Sequence, residues 1–510
     1  MNDGPLGPAP MKMKRLRASL VAPIIALGVL VGVPARAATR AVGAAKTYAK
    51  PCDAIAAAED GDVIEIDAGT YSGDVCAVTR NGLTLRGVGG RAHLDAAGAA
   101  FGGKGIWVIQ GASTTVENVE FSGAKVADKN GAGIRQEGNG LVVRNCYFHD
   151  NEDGLLTGGN GEILVESSEF ANNGAGDGYS HNMYIGHEKK FTLRGSWSHL
   201  AKIGHLVKSR ADQNFILGNR IMDEVDGTSS YAIDLPNGGT SYVIGNLIQQ
   251  GPHADNGVIL AYAEEGATNS TTDLFVVNNT FVNDLGSGTF LSIDTATPAV
   301  VLNNIFLGGG ALSTQTSGVP GAGVGGNDTT FDPLLAGRAA FDYQLAPRSP
   351  CVDEGVIPGQ GDGVSLVPQI QYVHPAHYEA RVTVGVIDIG AYEQGGGRPP
   401  VDGGVPTDAA TDGAGAAIEG GAAGEGGAAG EGGAADAGGQ GGRGAGGGGG
   451  PAGAGGSNAP STASSAASST TSSGAGCSCD LTGPRSRDGR LPFSLLGLVG
   501  LVGWAARRRP

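Results

Sequence analysis

Four of the nine histidines, His181, His187, His199 and His205, fall within one short stretch of the chain. That stretch and its sequel carry three polar runs: His-Asn-Met-Tyr-Ile-Gly-His (181–187), Gly-His-Leu-Val-Lys-Ser-Arg (204–210) and Ser-Tyr-Ala-Ile-Asp-Leu-Pro-Asn (230–237). On an extended strand Lys208 and Arg210 share one face, because side chains alternate. A neighbouring like charge depresses a lysine pKa, so Lys208 reads as a candidate general base and Arg210 as the group that holds a carboxylate. Tyr184, His181 and His205 can donate a proton, and Asp234 can orient Lys208 or bind Ca²⁺. This set suits β-elimination on a uronate. A cation neutralises the carboxylate so that the neighbouring C–H becomes acidic, a base takes that proton, and an acid assists the leaving oxygen. Asn237, Tyr231 and Tyr262 read as substrate-binding groups, with the tyrosines and Trp197 able to stack on sugar rings. Each feature also has a plainer reading. Lys208 and Arg210 suit surface ion pairs with Asp212, Asp234 or Glu224. His181 and His205 fall on the inward parity and suit hydrogen-bonded core positions, and the aromatic rings suit wall positions.

These residues meet only if distant segments are stacked. A local pattern of apolar alternation, then Asn, then an apolar residue recurs around Asn118, Asn145, Asn219, Asn246, Asn279 and Asn304, at steps of 27, 74, 27, 33 and 25. The long step spans about three coils, and its two missing rungs are Val-Glu-Ser-Ser-Glu-Phe (165–170) and Leu-Arg-Gly-Ser-Trp (193–197). A period near 25, with short strands, glycine turns and no helical periodicity, predicts a solenoid. Asparagine at a fixed corner suits a left-handed backbone and can bond to the next coil. Met183 and Ile185, Val207 and Ser209, and Ile233 and Leu235 take the inward positions. Tyr184, Lys208 and Asp234 then point outward in one column, about 4.8 Å per rung. Leu260 or Tyr262, then Glu264 or Glu265, continue the column upward, and Arg135, Glu137 and Leu156 continue it downward. The expected fold is all-β, a right-handed parallel β-helix over 38–393. A short Ala-rich helix over Cys52–Ala58 covers its open N-terminal end, which otherwise is an unpaired edge.

The rest of the chain reads as addressing. Residues 1–37 form a signal peptide: Lys12, Lys14, Arg15 and Arg17, an apolar run from Leu20 to Val33, and Ala35-Arg36-Ala37 as the cleavage site. Residues 394–476 are a disordered Gly/Ala/Ser-rich linker. In 477–510, Cys477-Ser478-Cys479 precedes an apolar stretch, 491–506, of membrane-helix character and three arginines. An exported body permits disulfides; Cys52 and Cys76 are expected to pair, and Cys146 and Cys351 to stay buried or free. Between the leader and the tail, residues 38–476 keep 23 of the 34 Lys/Arg and 47 of the 50 Asp/Glu, a net of −24. That field repels polyanions and excludes a nucleic-acid partner. There is no phosphate-binding glycine loop, no Asp-x-Asp-x-Asp-Gly calcium loop and no Gly-x-Ser-x-Gly elbow. The paired carboxylates Asp223 and Asp226 fall in a turn, at a spacing that says little for hydrolysis. No strict Gly-X-Y period accompanies the 92 glycines, which excludes collagen.

The opening Ala-Ile-Ala-Ala-Ala-Glu-Asp-Gly-Asp-Val-Ile-Glu-Ile-Asp-Ala-Gly-Thr-Tyr (54–71), the Asn rungs, and the closing 342–350 and 387–393 resemble the pectate-lyase-like superfamily of right-handed parallel β-helix proteins. In that likeness the closing segments form a C-terminal cap. Lys208-Ser209 with Asn214 and Asn219 is similar to the β-helix lyases acting on alginate and chondroitin-type chains, in which an Arg follows one coil later; here that rung carries Asp234. Epimerases of this fold use similar residues. The tail resembles the myxobacterial type of surface-sorting tail, cut or lipid-modified near Cys477. The resemblance implies a monomeric surface-anchored protein that meets export and sorting machinery and acts on polysaccharide, as a uronate lyase or C5-epimerase, with no cofactor unless Ca²⁺. The alternative is a non-catalytic surface protein that binds glycan or a neighbouring cell.

Overall fold

The computed structural model describes residues 37–315, 326–330 and 332–396, together with Gly4. The rest of the leader, the linker beyond Gly396, Cys477 and the 491–506 stretch lie outside the described residues. Among the described residues no helix is long and apolar enough to cross a membrane.

Each coil of the chain lays down up to three short strands, and every strand pairs in parallel with its equivalent one coil on. The first face is a stack of ten strands, from Cys76–Val78 through Met183–Ile185, Val207–Ser209 and Ile233–Leu235 to Ala311–Ser313. The second face runs from Thr114–Glu117 to Val300–Leu302, and the third from Val119–Ser122 to Ile305–Gly308. Below them the long strands Val63–Ser72 and Thr84–Asp95 serve both the second and third faces. The described residues thus form a parallel β-solenoid of about ten turns, with almost no helix among them.

The core follows from strand alternation. Phe121, Phe148 and Phe170 occupy one register position on the third face. All three are buried, and their rings stack at 4.9 and 4.6 Å. On the first face Ile134, Leu155 and Met183 point inward in one column. The short helix Pro51–Ala56 places Ala54 and Ile55 on the same core. The Cys52–Cys76 disulfide ties it to the first strand of the first face, at a Cα separation of 5.8 Å. Cys146 and Cys351 are free and buried.

The corner between the second and third faces is held by side chains. Backbone N–H of Cys146 donates to Ser168 Oγ, Ser168 N–H to Ser196 Oγ, and Ser196 N–H to Asn219 Oδ1. The ladder continues through Asn246, Asn279 and Asn304 to Asn327, each amide oxygen accepting the N–H of the coil below at 2.9–3.0 Å. The two serine rungs fill the long step in the asparagine spacing. The six asparagines of the sequence pattern belong to two columns. Asn118 and Asn145 themselves take the left-handed conformation (φ 56 and 50) and bond to each other near the surface. In the upper coils the left-handed residue is the one before: Gly218, Gly245, Asn278 and Asn303. The following Asn then turns inward.

The C-terminal segment lies along the flanks of the upper coils. Tyr343, Leu345, Tyr372, Ile389 and Ala391 cover outward-facing Met222, Leu247, Val282, Ile305 and Leu307 of the third face. Leu366 covers Tyr242, Phe275 and Val277 of the second. Asn278 and Thr280 bond to the backbone of 388–391. The segments 342–350 and 387–393, expected to cap the end, thus lie along the third face of the solenoid.

Asn246→Ala removes the acceptor of Asn219 N–H and the donor to Ile216 C=O, both buried. Two orphaned backbone groups cost about 3 kcal/mol. Chemical denaturation should find that loss; a change within about 0.5 kcal/mol would contradict the ladder's role.

Candidate functional site

On the first face the outward register column runs Arg135, Leu156, Tyr184, Lys208, Asp234, Ala261 and Ser292. Tyr184, Lys208 and Asp234 are adjacent rungs. Leu260 and Tyr262 lie on the inward column. Tyr262 is fully buried, and its hydroxyl donates to Gly239 C=O inside the solenoid. It is a core residue and cannot meet a substrate on the outer wall. Ser209 and Asn214 also face inward and bond to each other at 2.6 Å, so of the Lys208-Ser209-Asn214 set only Lys208 reaches the surface.

Lys208 Nζ lies 3.0 Å from Asp234 Oδ2 and 3.0 Å from Glu265 Oε1. Arg210 donates through Nη2 to Glu265 Oε2 at 2.5 Å, through Nη1 to Asn237 Oδ1 at 2.6 Å and through Nε to Tyr184 Oη at 2.9 Å. Both cations also stand over the Tyr184 ring, 5.7 Å from its centroid. The one carboxylate of Glu265 thus bridges Lys208 and Arg210. Glu265 is half exposed, whereas Lys208 and Asp234 are nearly buried.

These contacts set the charges. Burial opposes charge on Lys208, but Asp234 and Glu265 outweigh it and raise its pKa. The lowered value expected from Arg210 is overturned: the nearest charges are anions, and Lys208 is held as an ammonium. Burial pushes Asp234 up to about 6, against the pull of Lys208. Glu265 lies below its ordinary value because the hydrogen bond from Arg210, with Lys208, overcomes burial.

The histidines form a second column at the edge of this face. His181 N–H donates to Asp153 Oδ1, His205 N–H to His181 Nδ1, and Tyr231 N–H to His205 Nδ1, at 2.8, 2.9 and 3.3 Å. The imidazoles stack at 4.5 Å. Each ring satisfies a backbone donor of the next coil. Both rings are buried, which pushes His181 down to about 3 and His205 well below its ordinary value. With Nδ1 accepting, the neutral His205 ring carries its proton on Nε2, 3.3 Å from Asp234 Oδ2. The histidines therefore support the corner, and His205 also steadies Asp234. Tyr231 is half buried against His205, at 4.8 Å. Trp197 lies on the third face, stacked on His199 at 3.8 Å.

An open groove of 490 Å³ runs along the face beside this cluster, bordered by Arg135, Asp153, Leu156, Tyr179, Tyr184 and Arg210. Arg135 Nε finds no hydrogen-bond partner among the described residues. Asp153 has no motif around it and is visible only once the His181 column is aligned coil by coil. Ca²⁺ does not fit at Lys208: both carboxylates that touch its ammonium are engaged with cations, and the ion would have to displace Lys208 itself.

A family model described as "Right handed beta helix region" matches residues 81–248. The crystal structure of pectate lyase Pel9A superposes with a TM-score of 0.52 at 13% identity, covering 71% of this chain and 97% of that one. The fold is a right-handed parallel β-helix. It is similar to that pectate lyase in architecture. The ORF18 protein of Geobacillus virus E2 is a more distant likeness, at a TM-score of 0.34 and 12% identity over 54% of this chain and 55% of that one. No curated protein matches in sequence.

Burial pushes Asp153 up to about 8, against the His181 N–H bond and Arg135. The folded state then binds this proton more tightly than the unfolded chain, so the stability linked to it is full below about pH 4 and lost as pH rises to about 8. Asp153→Asn keeps an acceptor and removes the titration. The variant should match wild type near pH 4 and gain over it by on the order of 1 kcal/mol per pH unit up to about pH 8. Melting curves at several pH values check this; a constant gap contradicts it.

Proposed function

We propose that the protein is an exported, cell-surface β-helix that captures an acidic polysaccharide on its first face, with the uronate carboxylate seated between Lys208 and Arg210. The observation that carries this reading is Glu265: one carboxylate already bridges Lys208 Nζ and Arg210 Nη2. It shows the geometry in which the two cations converge on a single carboxylate. A substrate carboxylate takes that seat as the half-exposed Glu265 swings out. The seat is a strong local cationic pair within a body of net −24, so selection rests on short contacts and not on long-range attraction. Asn237 and Tyr184 hold Arg210 in place, and the groove toward Arg135 gives the neighbouring sugars a path. The Cys52–Cys76 disulfide favours an oxidising location.

The second reading is a uronate lyase or C5-epimerase at the same seat. It is favoured by the Tyr184 hydroxyl, which Arg210 holds beside the carboxylate position. Lys208 stays charged and neutralises the substrate carboxylate, so that the adjacent C–H becomes acidic. Tyr184 Oη is then the oxygen placed to exchange a proton with the sugar.

Binding of uronate oligosaccharides, followed by calorimetry, and the ultraviolet absorbance of unsaturated product separate these readings. Replacing Lys208 and Arg210 together by Ala should weaken binding by on the order of 10–100-fold. Glu265→Ala, which removes the internal competitor, should tighten it by about 3–10-fold. Product absorbance that vanishes in Tyr184→Phe makes the protein a lyase; binding without product leaves epimerisation, read by exchange of the C5 proton, or capture alone. No binding by wild type or by Glu265→Ala would end the proposal.

A further inference from the structure

Away from the first face, the lowest coils of the third face gather two imidazoles and a carboxylate. His93 and Glu120 are register partners on adjacent rungs, and His149 stands one rung higher opposite Ser122. All three side chains are partly exposed. His149 Nε2 lies 3.1 Å from Glu120 Oε1, and His93 Nε2 lies 3.6 Å from the same oxygen. The ligand atoms of the three residues all fall within 4.8 Å of one another. Tetrahedral zinc, with bonds of about 2.0–2.1 Å, spaces its ligand atoms by about 3.3 Å. Glu120 Oε1 stands close to that spacing from both imidazole nitrogens, and all the ligand atoms lie within 4.8 Å of one another.

The orientation of His149 is the second observation. Its Nδ1 lies 2.8 Å from Asp150 Oδ2. A carboxylate only accepts, so Nδ1 carries the proton. The other ring nitrogen, Nε2, is thereby aimed at Glu120 Oε1, at 3.1 Å. A carboxylate that fixes the far nitrogen of an imidazole is also how proteins orient histidine toward a metal. The ring is further held by Tyr147, stacked at 4.4 Å. Ser122 Oγ, 2.8 Å from His93 Nε2, stands at the remaining side.

We propose that His93, Glu120 and His149 bind a divalent cation of the zinc class, with Asp150 as the positioning residue and Ser122 or a water completing the shell. Two imidazoles and one carboxylate suit Zn²⁺, Cu²⁺, Ni²⁺ or Co²⁺; Ca²⁺ and Mg²⁺ take all-oxygen shells. The site joins three successive coils of the N-terminal half and is independent of the Lys208 cluster, so either proposal can fail without the other.

The test is titration of the chelator-treated full chain with Zn²⁺ by calorimetry, with Co²⁺ as a spectroscopic probe. Wild type should take up one equivalent with visible Co²⁺ bands of a low-coordinate site, and Ca²⁺ in excess should not compete. Replacing both His93 and His149 by Ala should abolish that equivalent, and Glu120→Gln should weaken it. Asp150→Asn should weaken it by about 10–100-fold through the far nitrogen of His149. If the double variant does not fold, Glu120→Gln and Asp150→Asn, each checked by circular dichroism, decide the matter. A wild-type protein that takes up no Zn²⁺ would show that a proton alone bridges His149 and Glu120. Uptake that persists unchanged in the variants would place the metal elsewhere. Either result overturns the site.

Discussion

Parallel in-register pairing is the constraint on which everything else rests. Once strand equivalents stack at about 4.8 Å, any residue type repeated at one position of the coil becomes a column. The phenylalanine stack, the asparagine ladder and the histidine column are three products of this one rule. The ladder also closes the backbone account at a sharp corner. Buried N–H groups that have no partner within their own coil find one on the side chain of the next. A solenoid of short strands would otherwise carry an orphaned donor at each turn.

The same rule allocates the faces. In the upper coils the outward positions of the second and third faces are apolar, and the C-terminal segment is folded onto them. The outward positions of the first face are instead Tyr184, Lys208 and Asp234, and Glu265 and Arg210 close over them. Two cations and two anions balance there, so the cluster is stable at rest. It is selective because a competing carboxylate must match the bridging geometry of Glu265.

Much of this was legible in the chain. Asparagine spacing gave the coil period, and strand alternation gave the outward column. The charge state of Lys208 was not legible, because sequence neighbours suggested Arg210 as the dominant charge. Asp234 and Glu265, 26 and 57 residues away in the chain, lie closer in space. Tyr262 was misplaced for a related reason: its parity could be fixed only by the pairing of Leu235 with Tyr262. Asp153 was missed because one carboxyl at the head of a strand has no local signature. Its role appears only beside His181. The wrapping of residues 342–393 along the flanks depends on contacts more than a hundred residues apart, which no local pattern encodes.

Register, and not chain proximity, makes Lys208 and Asp234 partners. A double-mutant cycle on Lys208→Met and Asp234→Leu, read by equilibrium denaturation, measures that partnership. The expected coupling is about 2 kcal/mol or more, with each single variant far more damaging than the pair. Additive effects, with a coupling below about 0.5 kcal/mol, would contradict it.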